Sequence, residues 1–166
     1  QPIGINGFGR IGKAIFILLL DNETFHVSAI NSPGLDINTI ESYLKRDSVH
    51  KYNTNFVVKI IDNDNFSVNG RAIHVFRDKK AENLDWQTYK IDMVIDATGA
   101  YLTQEKIKTH RVKKIIMTAP AKDNTPLYVY GANDKTYNGE DIISNASCTT
   151  NCITPLLAFL EKKYTI

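Results

Sequence analysis

Cysteine is scarce in this chain of 166 residues: Cys148 and Cys152 are the only two, four positions apart in the stretch ISNASCTTNCITP. A pair that close, with no others, makes no disulfide framework and favours a reducing compartment such as the cytosol. Zinc is poorly served as well. The two thiols lack a second ligand pair, and His26, His50, His74 and His110 show no metal spacing, so no metal is expected. Nor does one sign of charge dominate. The formal net charge is +2, with the lysines scattered among acids, which implies neither a nucleic-acid nor a membrane surface. No apolar run approaches membrane-spanning length, and the N-terminus reads as a strand rather than as a charged and apolar leader. A soluble, cytoplasmic protein is the expectation. Repeats, low-complexity segments and obvious linkers are lacking too. Hydrophobic content of 43% over this length suffices for one ordinary domain whose core needs no disulfide or metal.

What is present alternates. PIGIN is a short apolar run ended by a glycine turn, and RIGKAIFILLLDN has helical length and closes at Asp21 and Asn22. HVSAIN is the next β-branched run. DINTIESYLKRD then opens with a plausible cap at Asp36 and repeats apolar residues at Ile37, Ile40, Tyr43 and Leu44, as a helix does. From Asn55 to Phe76 the texture changes to short β runs, with Asn69-Gly70 marking a tight hairpin. DMVIDATG, helix-like TQEKIKTHRV, KKIIMTAP, LYVYG and DIISNAS resume the alternation of buried strands and crossovers. The pattern predicts an α/β fold: a doubly wound, mostly parallel sheet of Rossmann type with a short antiparallel insertion at about residues 55–76.

GINGFGRIG supplies the first chemical signal, because Gly7, Gly9 and Gly12 fit G-x-G-x-x-G between a strand and a helix. Gly7 permits the turn, Gly9 lets backbone approach a pyrophosphate, and Gly12 lets helix and strand pack closely, while the helix N-terminus offers N–H groups to the anion. Such glycines can also serve a turn alone; the strand-to-helix context favours a dinucleotide site. An acid to hold the ribose hydroxyls is expected about twenty residues on. Counting lands on Ser32, with Asn31 before it, both neutral, and Asp36 reads better as a helix cap. NAD is favoured, and NADP stays open because Ser32 replaces the acid. Lys79 and Arg77 are candidate cations at the adenine end, equally readable as solvated charges after a strand.

If DIISNA is a strand and a helix starts near Thr149, Cys148 lies at a helix N-terminus, where dipole and N–H groups favour an anionic, nucleophilic sulfur. Ser147, Thr149 and Thr150 add hydroxyls and Asn151 an amide, suited to a phosphate or an oxyanion. Cys152, one turn on, reads as a small buried hydrophobe. A bland reading, in which Cys148 packs and its polar neighbours cap the helix, is equally open on these residues alone.

Taken together, GINGFGRIG, AIN, RDSVHKY, VNG, DATGAYLT, TAPAKD, GAND and SNASCTTNC resemble the N-terminal, NAD-binding part of phosphorylating glyceraldehyde-3-phosphate dehydrogenases, over nearly the whole chain. The resemblance implies Arg10 and Ile11 along the pyrophosphate, Thr98 and Gly99 by the adenosine half, Tyr101 near the adenine and Thr118 near the nicotinamide. It implies Cys148 as nucleophile, with Ser147 and Thr149 at a phosphate site, acting on glyceraldehyde 3-phosphate and inorganic phosphate in a homotetrameric parent enzyme. Residues 1–148 would be the NAD(P)-binding domain. Residues 149–166 would begin the helix leading into a substrate domain that carries the family's catalytic histidine, so that this chain alone binds cofactor without turnover. A related aldehyde or semialdehyde dehydrogenase, or a non-catalytic nucleotide-binding module, stays open beside that expectation.

Overall fold

A computed structural model of the protein describes residues 1–46 and 55–164. Strands β1 (Pro2–Asn6), β2 (His26–Asn31), β3 (Val58–Ile60), β4 (Asn65–Val68), β5 (Arg71–Phe76), β6 (Met93–Asp96), β7 (Lys114–Met117) and β8 (Ile142–Ser144) form one sheet in the order β3-β4-β5-β2-β1-β6-β7-β8. Its helices are α1 (Arg10–Leu18), α2 (Ile40–Lys45), α3 (Gln104–Ile107) and α4 (Cys148–Tyr164). Pairing is parallel from β5 through β2, β1, β6 and β7 to β8. It is antiparallel from β3 to β4 and from β4 to β5. The expected insertion is therefore there, and its last strand rejoins the parallel sheet on β2. Asn69 and Gly70 both have positive φ, 51° and 81°, the turn that suits a two-residue hairpin.

Apolar residues alternate between two faces, as the pleat demands. Ile30 joins Ile3, Ile5, Phe16, Ile40 and Leu44 in the core beneath α1 and α2. Its neighbour Ala29 packs on the other face with Leu84, Trp86, Ile91 and Val94. On that face Ile107 of α3 meets Ile115 and Met117. The chain leaves β1 toward β2 on one side and returns through β6 on the other, so the order reverses between β1 and β6. Ligands of open α/β sheets bind at such a switch point, outside the carboxyl ends of the strands.

Several elements are shorter than their sequence patterns. α1 stops at Leu18, and the Asn22 side chain accepts from the N–H groups of Thr24 and Phe25 to fix the turn into β2. Asp36 does cap, accepting from Asn38 N–H, but it caps a 3₁₀ turn at Ile37–Thr39 that precedes α2. The TQEKIKTHRV helix is reduced to α3 and a 3₁₀ turn at Lys108–His110, ended by Arg111 at φ 54°. LYVYG is not a strand. Only Leu127 bridges to Ser144, because the Asn133 side chain accepts from Val129 N–H and donates to the Leu127 carbonyl, taking the place of a neighbouring strand. Of the RDSVHKY segment, all but Arg46 lies outside the described residues, His50 included. No described helix is long and apolar enough to cross a membrane.

Candidate functional site

One row of backbone hydrogen bonds runs along the carboxyl ends of the parallel strands. Ser32 N–H donates to Phe76, Gly7 N–H to Asn31, Ala97 N–H to Asn6, Thr118 N–H to Asp96 and Asn145 N–H to Met117, at 2.7–3.0 Å. Residues spread over more than a hundred positions of sequence are thereby fixed along a single edge. Ser32, Gly7, Thr98 and Thr118 sit in or beside that row, and the segment before Cys148 ends it.

At the switch point the backbone is packed to contact. Gly7 has φ 90°, and a Cβ there would come within 2.8 Å of Ala97 C and Thr98 N, so only glycine allows the β1 turn to lie against the β6 turn. A Cβ on Gly12 would meet the Gly7 carbonyl oxygen at 2.0 Å. Gly9 differs, since nothing lies within 4 Å of its would-be Cβ. It is also the N-cap of α1, where no side chain caps the helix and the first turn carries no acid. Open space above a bare helix N-terminus suits an anion held by backbone N–H groups. Phe8, between these glycines, is buried against Phe16, and its carbonyl accepts from the Tyr43 hydroxyl at 2.8 Å, which anchors the loop to α2.

At the other end of the row, β8 passes into α4 through a bent elbow. Ser144 Oγ donates to the Ala119 carbonyl and accepts from Ala146 N–H, and buried Ala146 has φ 59°. A non-glycine residue in that region costs of order 1 kcal/mol, and such strain collects at functional turns. Ser147 is the cap of α4: its Oγ accepts from Thr150 N–H at 3.0 Å and lies 2.9 and 2.7 Å from the hydroxyls of Thr149 and Thr150. Asn151 Nδ2 donates back to the carbonyls of Asn145 and Ser147. Cys148 is the first helical residue and is exposed. Cys152 is exposed too, which corrects its reading as a buried hydrophobe, because α4 has no buried residue anywhere along its length.

The sequence matches, over residues 1–104, the family model described as glyceraldehyde 3-phosphate dehydrogenase, NAD binding domain. The chain belongs to that family. Among its relatives are the glyceraldehyde-3-phosphate dehydrogenases of Buchnera aphidicola subsp. Schizaphis graminum, 44% identical over 99% of this chain and 49% of the relative, and Escherichia coli K12 (form A), 41% identical over 99% and 50%. Form B from Aspergillus oryzae is 39% identical over 98% of this chain and 48% of its own length. The chain thus spans about half the length of the curated relatives it matches. NAD is the cofactor of this glyceraldehyde-3-phosphate dehydrogenase domain, and the crevice has room for it: nothing lies within 4 Å of a Cβ built at Gly9, above the uncapped N-terminus of α1.

Other sequence-predicted residues fall in different settings. Arg10 and Ile11, in the first turn of α1, are exposed, as are Gly99 and Lys79. Arg77 is committed elsewhere, bonding the Leu35 and Asn63 carbonyls and Asp64. The Tyr101 hydroxyl accepts from Ala81 N–H at 2.9 Å, and its ring packs 5.5 Å from His110, tying two loops together beneath the edge. Asn31 is buried and hydrogen-bonded on both sides, to Asn6 and to the Asp78 backbone. Sequence reasoning missed Asn6, Asp96, His110 and Trp86, which form one buried network with Asn31, bonded at its rim by the exposed Thr98. A signal was available: Asn6 and Asp96 are polar residues ending apolar runs, paired across β1 and β6. Among the described residues, no group of three or more His, Cys, Asp or Glu could hold a metal ion.

Proposed function

We propose that this chain is the cofactor-binding and nucleophile-bearing part of a phosphorylating glyceraldehyde-3-phosphate dehydrogenase, cytoplasmic and homotetrameric as a whole protein. Residues 1–148 would form its NAD-binding domain and α4 the lead into its substrate domain. The observation that carries this reading is the row of strand ends, with an open glycine turn at the switch point and an exposed cysteine opening a helix at its end. In this scheme Gly7 to Gly12 hold the pyrophosphate, Thr98 and Gly99 flank the adenosine half, and Thr118 faces the nicotinamide half. Ser147 and Thr149 offer hydroxyls to phosphate. Cys148 Sγ adds to the aldehyde carbonyl carbon to give a thiohemiacetal. Bound NAD supplies the hydride acceptor for its oxidation to a thioester, which inorganic phosphate then cleaves to an acyl phosphate, freeing the sulfur. The proton of the thiohemiacetal goes to a base outside the described residues: among their histidines, His110 is committed to Asp96 and Trp86, His74 to Asn65 and Tyr89, and His26 begins β2 at the end opposite the row.

The test is calorimetric titration of the chain with NAD beside an NADH absorbance assay containing glyceraldehyde 3-phosphate and phosphate. Binding without turnover is expected, since loss of a positioned base removes a factor of about 10²–10⁴ and substrate positioning is lost with it. Cys148-dependent NADH production at the rate of a full-length relative would overturn the assignment of the base.

A further inference from the structure

Beneath the switch point lies a chain of buried side chains whose hydrogen-bond directions are all determined. It starts at Asp78, whose backbone N–H donates to Asn31 Oδ1 at 3.1 Å and whose carbonyl accepts from Asn31 Nδ2 at 2.9 Å. This pair of bonds allows Asn31 only one amide orientation. Asn31 Nδ2 must then donate to Asn6 Oδ1, at 2.7 Å, which turns Asn6 Nδ2 toward Asp96 Oδ2, also at 2.7 Å. The far end is fixed in the same way. Trp86 Nε1 can only donate, and it lies 3.1 Å from His110 Nδ1, so that nitrogen is the acceptor and Nε2 carries the proton toward Asp96 Oδ2, at 3.1 Å. Thr98 adds two more donors, its N–H and its hydroxyl, to Asp96 Oδ1 at 3.1 and 2.6 Å.

Four donors therefore converge on one carboxylate that is 3% exposed, which fills the acceptor capacity such a group has. His110 is 1% exposed, and no buried side-chain polar atom is left without a partner among the described residues. The network joins the ends of β1, β2 and β6 through side chains, directly under the backbone row. Its product is the placement of Thr98, against whose N–H and Cγ2 the Gly7 turn is packed.

We propose that Asn6, Asp96 and His110 are positioning residues for the dinucleotide crevice, His110 acting through Asp96 on Thr98 and hence on the Gly7 turn. The proposal rests on the reading of that crevice as the NAD site. It requires direction as well as volume at position 110: one acceptor facing Trp86 and one donor facing Asp96. Glutamine can supply both, whereas leucine fills similar space and supplies neither. At position 96, asparagine is isosteric but brings a donor into a site where four donors already point.

The test measures NAD dissociation constants for wild type, H110Q, H110L and D96N, with ¹⁵N spectra of the wild-type His110 ring and of the backbone amides. The wild-type ring should carry its proton on Nε2, and H110Q should bind within about threefold of wild type. H110L and D96N should bind about tenfold or more weakly, as expected when buried donors lose their acceptor or their directed partner. A proton on Nδ1, or H110L binding as well as wild type, would overturn the proposal. If H110L and D96N do not fold, the wild-type tautomer and the affinity of H110Q decide. If wild type itself binds no NAD, the reading of the crevice falls; the amide shifts of Gly7 and Thr98, preserved in H110Q and displaced in H110L, then decide the positioning claim separately.

Discussion

Gly9 and Gly12 stand three residues apart in one motif, and the same methyl group would do opposite things to them. At Gly12 it collides with the backbone oxygen of Gly7, so Gly12→Ala should cost about 1–3 kcal/mol in a denaturant titration, the usual penalty of overpacking. At Gly9 it meets nothing, at a φ of −81° that any residue accepts. Gly9→Ala should leave stability unchanged while weakening NAD binding about tenfold, because the methyl takes the space a pyrophosphate needs; equal affinity would mean that the anion lies elsewhere. Ser32 is half-buried, with its N–H in the edge row. Ser32→Asp should raise the ratio of NAD to NADP affinity, since a carboxylate accepts from ribose hydroxyls and repels a 2′-phosphate, and an unchanged ratio would show that position 32 does not face the ribose. Both thiols are exposed, so accessibility does not separate them. Position does. Cys148 opens α4, beside the backbone N–H groups that the first turn leaves without helical partners, whereas Cys152 sits one turn inside; limiting iodoacetamide followed by mass spectrometry should find label on Cys148 before Cys152.

Among the elements, the insertion makes its own contribution to pH dependence. His74 of β5 stacks on Tyr89 at 4.5 Å, meets Phe76 edge-on at 4.6 Å and lies 3.1 Å from Asn65 Oδ1. Burial pushes its pKa below the usual 6.5, with Arg77 adding to the shift and Asp64 and Asp62 opposing it. The unfolded chain therefore takes up this proton at higher pH than the folded one, and stability must fall as pH drops below about 6.5. Asp62 and Asp78 are held below the usual 3.8, chiefly by backbone N–H groups of Asp64 and Lys80; their contribution is present above that value and is lost only in stronger acid. Denaturant midpoints followed downward from neutrality should decline first through the imidazole range, and His74→Gln should flatten that first segment. An identical slope in the variant would contradict the assignment. The insertion was legible in the sequence because Asn69-Gly70 dictates a hairpin, and the parallel strands because their β-branched runs suit burial on both faces. LYVYG was misread because its pattern is that of a strand, while the side chain that replaces its partner, Asn133, lies beyond the run and is visible only in three dimensions.

For the whole molecule, the glycine turn and the cysteine elbow could be recognised as motifs, but their sharing of one edge depends on strand order, and in the network under that edge Asn6 and Asp96 carry a local signal, each ending an apolar run, while Trp86 and His110 carry none. α4 buries none of its residues. Ile153, Leu156, Leu157 and Phe159 are about half or more accessible, and an apolar surface of that kind favours association. Sedimentation velocity should show concentration-dependent self-association of the chain that is reduced when Leu156, Leu157 and Phe159 are replaced by serine; a monomer at every concentration would contradict this. The central claim is that a dinucleotide lies across the strand-end edge at the β1–β6 switch point. The most direct measurement is the set of backbone amide shifts in a ¹⁵N spectrum as NAD is added to the chain. Saturable changes should centre on Gly7 to Gly12, Ser32, Thr98, Gly99 and Thr118 and leave the β3–β4 hairpin undisturbed. Changes centred on that hairpin, or none at saturating NAD, would contradict the account.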